Sequence, residues 1–312
     1  MADINTLGIQ WGYGIQSTNF STAVAATAGL RVRDEGGLSN FDPGMTPAEA
    51  KIQAAKWGAR DFERRAGIYR PTWSLPGLCS PGLMKLFLDA TLKPTVAGSG
   101  FTYDPFSDTT CSPDGTKHLT LWRRNTKATA KDEKLTGAVS KVLKISSSQE
   151  QQNVNLDVDF LAYDFDDAQT GSAGVYTLPA ADDWLLHSGA TFKIGAGAIA
   201  VVDFDFSIDF GIVAHLDNAA NPRAFTLGEI KVEGSVKTPW IDDDVLADFE
   251  GQTSNTLTFL WGTAASSGYL EIIVPVKYNR PTSEKGDERM DQSIPFVYSA
   301  TSSQQLQIKL QV

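Results

Sequence analysis

Five aspartates at alternate positions on two β-patterned runs are the residues of this chain best spaced to do chemistry. Asp157 and Asp159 alternate with Leu156, Val158 and Phe160; Asp203, Asp205 and Asp209 alternate with Phe204, Phe206, Ile208 and Phe210. In an extended strand alternate side chains share a face about 6 to 7 Å apart, the kind of separation that paired carboxylates of a glycoside hydrolase use. A hydrolase needs one pair, however, and these acids are spread along more than one strand. They fit better the wetted outer face of a sheet whose reverse is apolar. Such a face ordinarily mixes Lys and Thr with acids, yet every charged residue in 201–213 is Asp. That bias of sign asks for a cause.

No other constellation converges. His118, His187 and His215 lie in separate segments without His-x-x-x-His or His-Glu-x-x-His spacing, so each reads as a surface or core histidine. Ser146, Ser147 and Ser148 close a strand run and lack the Gly-x-Ser-x-Gly elbow. Gly195-Ala196-Gly197-Ala198 lacks a third glycine and leads into a strand, not into the helix a phosphate loop requires. Asp164, Asp166 and Asp167 are of the type that binds calcium, but the rest of an EF-hand loop is missing and a solvated linker fits better. Cys79 and Cys111 form neither a Cys-x-x-Cys nor a Cys/His pattern and read as small core residues. The expectation is a protein without catalysis, metal or cofactor.

The elements that would carry the aspartates are β-strands. From about residue 112 onward, short alternating runs are separated by turn residues, the mark of a mainly β chain. Strands are predicted over 117–124, 138–146, 154–162, 191–193, 199–212, 229–237, 256–261, 269–278, 296–300 and 305–312. Helices are few and short. One is predicted from Thr46, because Thr46-Pro47-Ala48-Glu49 combines a cap, a proline at the first helical position and a glutamate three residues on; Ile52, Ala55, Ala59 and Phe62 would share its face. A second is predicted over 81–92 with Ser80 as cap. A third, over 242–249, would open on Asp242, Asp243 and Asp244, where the helix dipole favours negative charge.

Residues 163–174 lose periodicity and gain Gly, Ser and Asp, so they read as a linker. It divides the chain into 1–165 and 166–312, each with several strands and a helix, as a duplicated β module would have. The first half carries an excursion over 31–66 with a helix inside it, and the second a charged loop over 281–291. At 312 residues the chain can bury a full core. A net charge of −10 argues against gripping nucleic acid, though not against contact with nucleic acid that slides past. With 42% hydrophobic and 21% charged residues the composition is globular. The first residues lack the basic and apolar regions of a secretion signal, and no run approaches the eighteen or so apolar residues of a membrane span. Folding in the cytosol is expected.

Several segments together resemble the major tail tube proteins of long, non-contractile-tailed bacteriophages (siphophage type), in their longer two-module form. They are Gly8-Ile9-Gln10-Trp11-Gly12-Tyr13-Gly14, the run from Gly67 through Arg70-Pro71-Thr72-Trp73 to Gly77, Leu119-Thr120-Leu121-Trp122-Arg123-Arg124, Ile272 to Tyr278, and Ile294 to Ala300. The resemblance implies two β-sandwich or barrel-like modules whose strands join those of neighbouring copies around a continuous tube. Two tube modules per chain imply trimeric rings of pseudo-sixfold symmetry; one tube module with an immunoglobulin-like ornament implies hexamers. The implied partners are further copies of the chain and the tape measure, terminator and baseplate proteins. The implied place is the virion tail, assembled in the host cytoplasm without a membrane.

On this reading Asp157, Asp159, Asp203, Asp205 and Asp209 face the lumen and repel the phosphates of passing double-stranded DNA, with screening over about 8 Å. Asp34 and Glu35, and Glu284, Lys285, Asp287, Glu288, Arg289 and Asp291, belong to loops between subunits or rings. Two rivals remain. One is a carbohydrate-binding or carbohydrate-active β-sandwich with Trp73, Trp122, Trp184, Trp240 and Trp261 as stacking faces. The other is a different ring-forming tail component, a terminator or baseplate hub.

Overall fold

Alternation of apolar and polar residues decides this architecture, because a side-chain period of two lets one face of each strand enter a core while the other meets water. A computed structural model describes residues 9–16, 21–30, 32, 46–53, 60–68, 70–96, 100–106, 117–125, 131–170, 184–215, 221–222, 224–239, 244–264, 266–285, 290–300 and 305–312. In chain order it has β1 (Ile9–Gln16), β2 (Ala28–Leu30), β3 (Thr46–Gln53), β4 (Arg60–Ile68), β5 (Thr72–Leu78), α1 (Pro81–Asp89), β6 (Phe101–Tyr103), β7 (His118–Asn125), β8 (Lys131–Ser148), β9 (Asn155–Leu161) and β10 (Asp164–Thr170). There follow β11 (Ala190–Ile194), β12 (Gly197–Ile199), β13 (Asp203–Asp209), β14 (Val213–His215), β15 (Ala224–Thr226), β16 (Lys231–Pro239) and α2 (Asp244–Glu250). The chain closes with β17 (Asn255–Trp261), β18 (Tyr269–Tyr278), β19 (Thr282–Lys285), β20 (Met290–Tyr298) and β21 (Gln307–Gln311). The protein is mainly β, as expected.

Three antiparallel layers organise these strands. A wall sheet runs β5, β9, the second part of β8, β13, β16 and β20. A backing sheet runs β12, β11, β17, β18, β21 and β6, and β20 joins it to the wall where Tyr278 pairs with Phe296. A small sheet runs β2, β1, β7, the first part of β8 and β10. Wall and backing meet through rings: Phe204 and Phe206 of β13 lie 5.2 and 6.1 Å from Phe259 of β17. Small sheet and wall meet through Trp11, stacked 4.6 Å from Trp73, which in turn lies 5.7 Å from Phe160. Each such ring or aliphatic side chain removed from water contributes about 1.5 to 3 kcal/mol.

Gly234 shows how tightly the wall is built. It sits on β16 between Phe206 of β13 and Phe296 of β20 in register, and those two rings stack 6.5 Å apart. A Cβ here would meet the Asp205 carbonyl oxygen at 2.3 Å and the Phe296 ring at 2.7 Å. The absent side chain is the space the rings use.

Helix α1 forms where expected. The Ser80 hydroxyl accepts from the Leu83 N–H at 3.2 Å, Pro81 opens the first turn, and Leu83, Phe87 and Leu88 are buried. Helix α2 matches the third expectation, while Asp242 and Asp243 lie outside the described residues. The helix predicted from Thr46 is corrected: Thr46–Gln53 and Arg60–Ile68 are the two strands of a hairpin. Its register places Glu49 opposite Arg64, and it slips between Thr46 and Ala48, at Pro47, where a strand tolerates a proline. Cross-strand pairing here outweighs a local cap signal.

The linker reading of 163–174 is also corrected over 164–170. These residues are β10, with Phe165 opposite Leu135 and Asp166 opposite Lys134. The strand predicted over 199–212 is shorter: β13 stops at Asp209, and Gly211 turns the chain at φ +60°. The loop predicted over 281–291 contains β19 and the start of β20.

Candidate functional site

The five aspartates stand where alternation put them, on the outer face of the wall. Along β13 and β9 the apolar partners are buried, and Asp157, Asp159, Asp203, Asp205 and Asp209 are on the side away from them. Strand register then sets their neighbours in four rows. The first runs Ser148, Asp203, Lys237, Ser293. The second runs Leu78, Asn155, Ser146, Asp205, Ser235, Pro295. The third runs Pro76, Asp157, Lys144, Ser207, Glu233, Val297. The fourth runs Ser74, Asp159, Val142, Asp209, Lys231.

Six carboxylates and three lysines therefore stand in these rows, with serines and prolines among the residues between them and neither arginine nor aromatic ring in any row. Lys141, exposed at the register shift between Ser140 and Val142, adds a fourth cation at the edge of the array. Sequence reading found the acids and missed the lysines, because Lys144, Lys231 and Lys237 lie on other strands. Only the register brings Lys144 beside Asp157, Lys231 beside Asp209 and Lys237 beside Asp203. The one-signed charge of 201–213 is thus offset across the strands at Asp203 and Asp209, while Asp205 lies between Ser146 and Ser235.

Three of the five carboxylates are also tied into the sheet. Ser74 donates from its hydroxyl to Asp159, joining β5 to β9. Asp205 accepts from the Ser235 N–H at 3.0 Å and its hydroxyl at 2.5 Å, joining β13 to β16. Asp209 accepts from the Gly211 N–H at 2.8 Å and so fixes the turn that ends β13. These bonds tie the acids to the neighbouring strands and to the turn after β13.

Of the other sequence candidates placed by the described residues, Asp291 alone joins them. Glu284 and Lys285 end β19, while Asp287, Glu288 and Arg289 lie outside the described residues, as do Asp34 and Glu35. Asp291 is buried on β20, on the side of the strand that carries Ser293 and Pro295, and pairs with Lys237 of the array at 3.8 Å. His187 is a core histidine: its Nε2–H donates to the Val201 carbonyl at 2.9 Å, and Nδ1 lies 3.1 Å from the Ser147 hydroxyl. Asp166 pairs with Lys134 at 3.6 Å within the small sheet. Burial pushes the Cys79 thiol up to about 12, so it is an inert core residue; Cys111 lies outside the described residues.

Tryptophans offered as stacking faces are mostly occupied. Trp73 and Trp261 are buried, and the Trp122 indole N–H donates to the Val24 carbonyl at 3.0 Å. Trp184 is 38% exposed, and Trp240 lies outside the described residues. No helix among the described residues is long and apolar enough to cross a membrane.

A ring-filled core behind a polar, charge-matched sheet face defines a structural β protein whose chemistry is a surface. The chain belongs to the phage tail tube protein family, whose model matches residues 12–297. No curated protein matches it. Membership makes the chain a structural component of a phage tail, one that assembles with copies of itself and with other tail proteins in the virion.

Proposed function

We propose that this subunit builds a tail tube of the long, non-contractile kind by forming stacked rings, and that the outer face of the wall sheet lines the bore through which double-stranded DNA passes. The observation that carries the reading is the make-up of that face. Phosphate is held by arginine forks, by unmatched lysines and by rings that stack on bases. The four rows have no arginine or ring, and each of their lysines has a carboxylate on the adjacent strand. A polyanion moving over such a wall meets twice as many carboxylates as lysines in the rows and no place to stall.

The order of elements supports two modules, read from the sequence as 1–165 and 166–312, with β10 carrying the first past 165 to Thr170 by its pairing with β8, and hence trimeric rings of pseudo-sixfold symmetry over hexamers. Wall strand β5 is followed by α1, then, after the short β6, by the paired β7 and first part of β8, then by the wall part of β8. Wall strand β16 is followed by α2, then by the paired β17 and β18, then, after the short β19, by wall strand β20. The hairpin of β3 and β4 pairs with no other described strand, and a hairpin alone is marginal in water. This supports a role for the excursion over 31–66, with Asp34 and Glu35, as a contact with the next subunit or ring; the same role is assigned to Glu284, Lys285, Asp287, Glu288 and Arg289. Tape measure, terminator and baseplate proteins complete the partner set, with assembly in the host cytoplasm.

Negative-stain electron microscopy of the concentrated protein, alone and with its tail-assembly partners, tests the proposal. Rings or tubes with threefold or pseudo-sixfold averages are expected. A species that stays monomeric under all these conditions contradicts it.

A further inference from the structure

The central wall strands are joined differently at their two ends. At one end β8 passes to β9 through the tight turn 149–153, which is bonded to the segment before β11: the His187 N–H donates to the Gln152 carbonyl at 2.6 Å, and the Val154 N–H to the Leu185 carbonyl at 3.1 Å. At the other end β13 passes to β16 through residues 210–230, a connection that contains β14 and β15. The seven residues of β13 set these ends about 20 Å apart.

Both connections hold apolar side chains out in water. Leu186, bridged to Asn153 of the turn, is 46% exposed and Trp184 is 38% exposed, while Leu185 between them is buried. The buried Trp261 donates its indole N–H to the Leu186 carbonyl at 3.1 Å and fixes that backbone. On the opposite hairpin Val213 is 50% exposed. Phe225, across from Ala214, is buried and anchors one face of the hairpin; Val213, across from Thr226, stands on the other.

The base of that hairpin is set as firmly. Asp209 accepts the Gly211 N–H, the Gly228 N–H donates to the Gly211 carbonyl at 3.0 Å, and a Cβ on Gly211 would collide with the Glu229 carbonyl. Exposed charge differs in sign between the ends. Glu150 is the one charged residue of 149–153. Beside the hairpin's base Lys231 and Lys141, whose carbonyl accepts the Phe210 N–H, outnumber Glu229. A lone exposed side chain asks for no cause; two rigid apolar surfaces of opposite charge balance at opposite ends of one sheet do.

We propose that these ends are the two halves of one contact between rings: Leu186 and Trp184 beside the β8–β9 turn of one copy seat the Val213 face of the β14–β15 hairpin of a second copy in the next ring. This rests on the reading that the wall lines the bore with its strands side by side around the axis, which makes the ends of the wall the rims of a ring. The two surfaces differ, so every copy offers one upward and one downward, and the contact repeats without closing. Three side chains fall far short of the area that a stable pair of proteins buries. Repeated around a ring, the same contact acts many times at once. Single subunits therefore stay apart where whole rings stack.

Negative-stain electron microscopy tests this under conditions in which the unmodified chain forms tubes. Val213→Glu and Leu186→Lys are each expected to leave rings intact and to abolish tubes. The double variant carrying both substitutions sets opposite charges across the contact and is expected to recover tubes. Undiminished tubes from both single variants overturn the proposal and leave the ring reading standing. Single variants that form no rings, with an unchanged thermal midpoint, also overturn it, because the surfaces would then act within a ring. A complete absence of rings from the unmodified chain removes the ring reading and this contact with it.

Discussion

Wall and small sheet both carry charge, and they use it in opposite ways. In the small sheet the charged groups are long, drawn inward and paired. The Arg124 guanidinium meets Asp132 at 3.0 Å with the carboxylate fully buried, Arg123 meets Glu133 at 2.8 Å and lies over the Trp11 ring, and Lys134 lies over Trp122. On the wall the charged groups are mostly short, spread over an open face and separated by serines. Buried, paired charge fastens one part of a protein to another, and losing either partner is costly. Exposed, matched charge contributes little to stability and a great deal to what a surface attracts or repels. One sheet is a clamp and the other a face.

Asp132→Ala should break this contrast most violently. It takes from the buried Arg124 the carboxylate that meets it at 3.0 Å and is expected to cost about 3 to 5 kcal/mol, measured by urea denaturation; a loss under about 1 kcal/mol would mean that the pair fastens nothing. Gly234→Ala is next, because the added Cβ must displace backbone or the Phe296 ring. A loss of about 1 to 3 kcal/mol is expected from the same titration.

A third test extends the clamp to α1. Burial pushes the Asp89 carboxyl up, but hydrogen bonds from Lys85 and Tyr103, the Lys85 charge and a hydrogen bond from Lys117 together hold it below its ordinary value of 3.8. A lowered folded-state value means stability that is present above the unfolded value and lost as pH falls through the folded one. The stability gap between the unmodified chain and Asp89→Asn should therefore be constant near neutrality and close below pH 3.8. A gap that does not change with pH would remove Asp89 from the clamp.

Asp203→Lys should be the smallest change in stability, within about 0.5 kcal/mol, because it alters only the face. Its effect should appear in the assembled tube, as salt-sensitive retention of DNA that unmodified tubes lack. A large loss of stability would show that the wall's charges fasten as well.

Much of the wall was legible in the amino-acid pattern because a core dictates it. Phe204, Phe206 and Ile208 had to enter one side, so Asp203, Asp205 and Asp209 had to leave by the other, whatever the neighbours were. β5 was harder to read, since Pro76 and Gly77 look like a turn. Ala162 donates to the Pro71 carbonyl and Cys79 donates to Val154, so odd positions bond to β9 and the missing Pro76 N–H is never called upon. β10 escaped notice because it offers only Phe165 to the core among its polar residues. Thr46 misled because a cap signal is local, whereas the pairing of Glu49 with Arg64 spans a hairpin. The lysines opposite the aspartates were beyond reach for a different reason: their partners are set by register between strands as far apart as Asp203 and Lys237, and periodicity within one strand carries no register.

The central claim is that the charge-matched face of the wall lines the bore. An electron cryo-microscopy reconstruction of assembled tubes measures this directly, at a resolution that traces β9, β13 and β16. The account expects Asp157, Asp203 and Asp205, with Lys144 and Lys237 among them, on the inner surface facing the axis. A map that puts these residues on the outside of the tube, or that shows a bore lined by unmatched lysines and arginines, contradicts it.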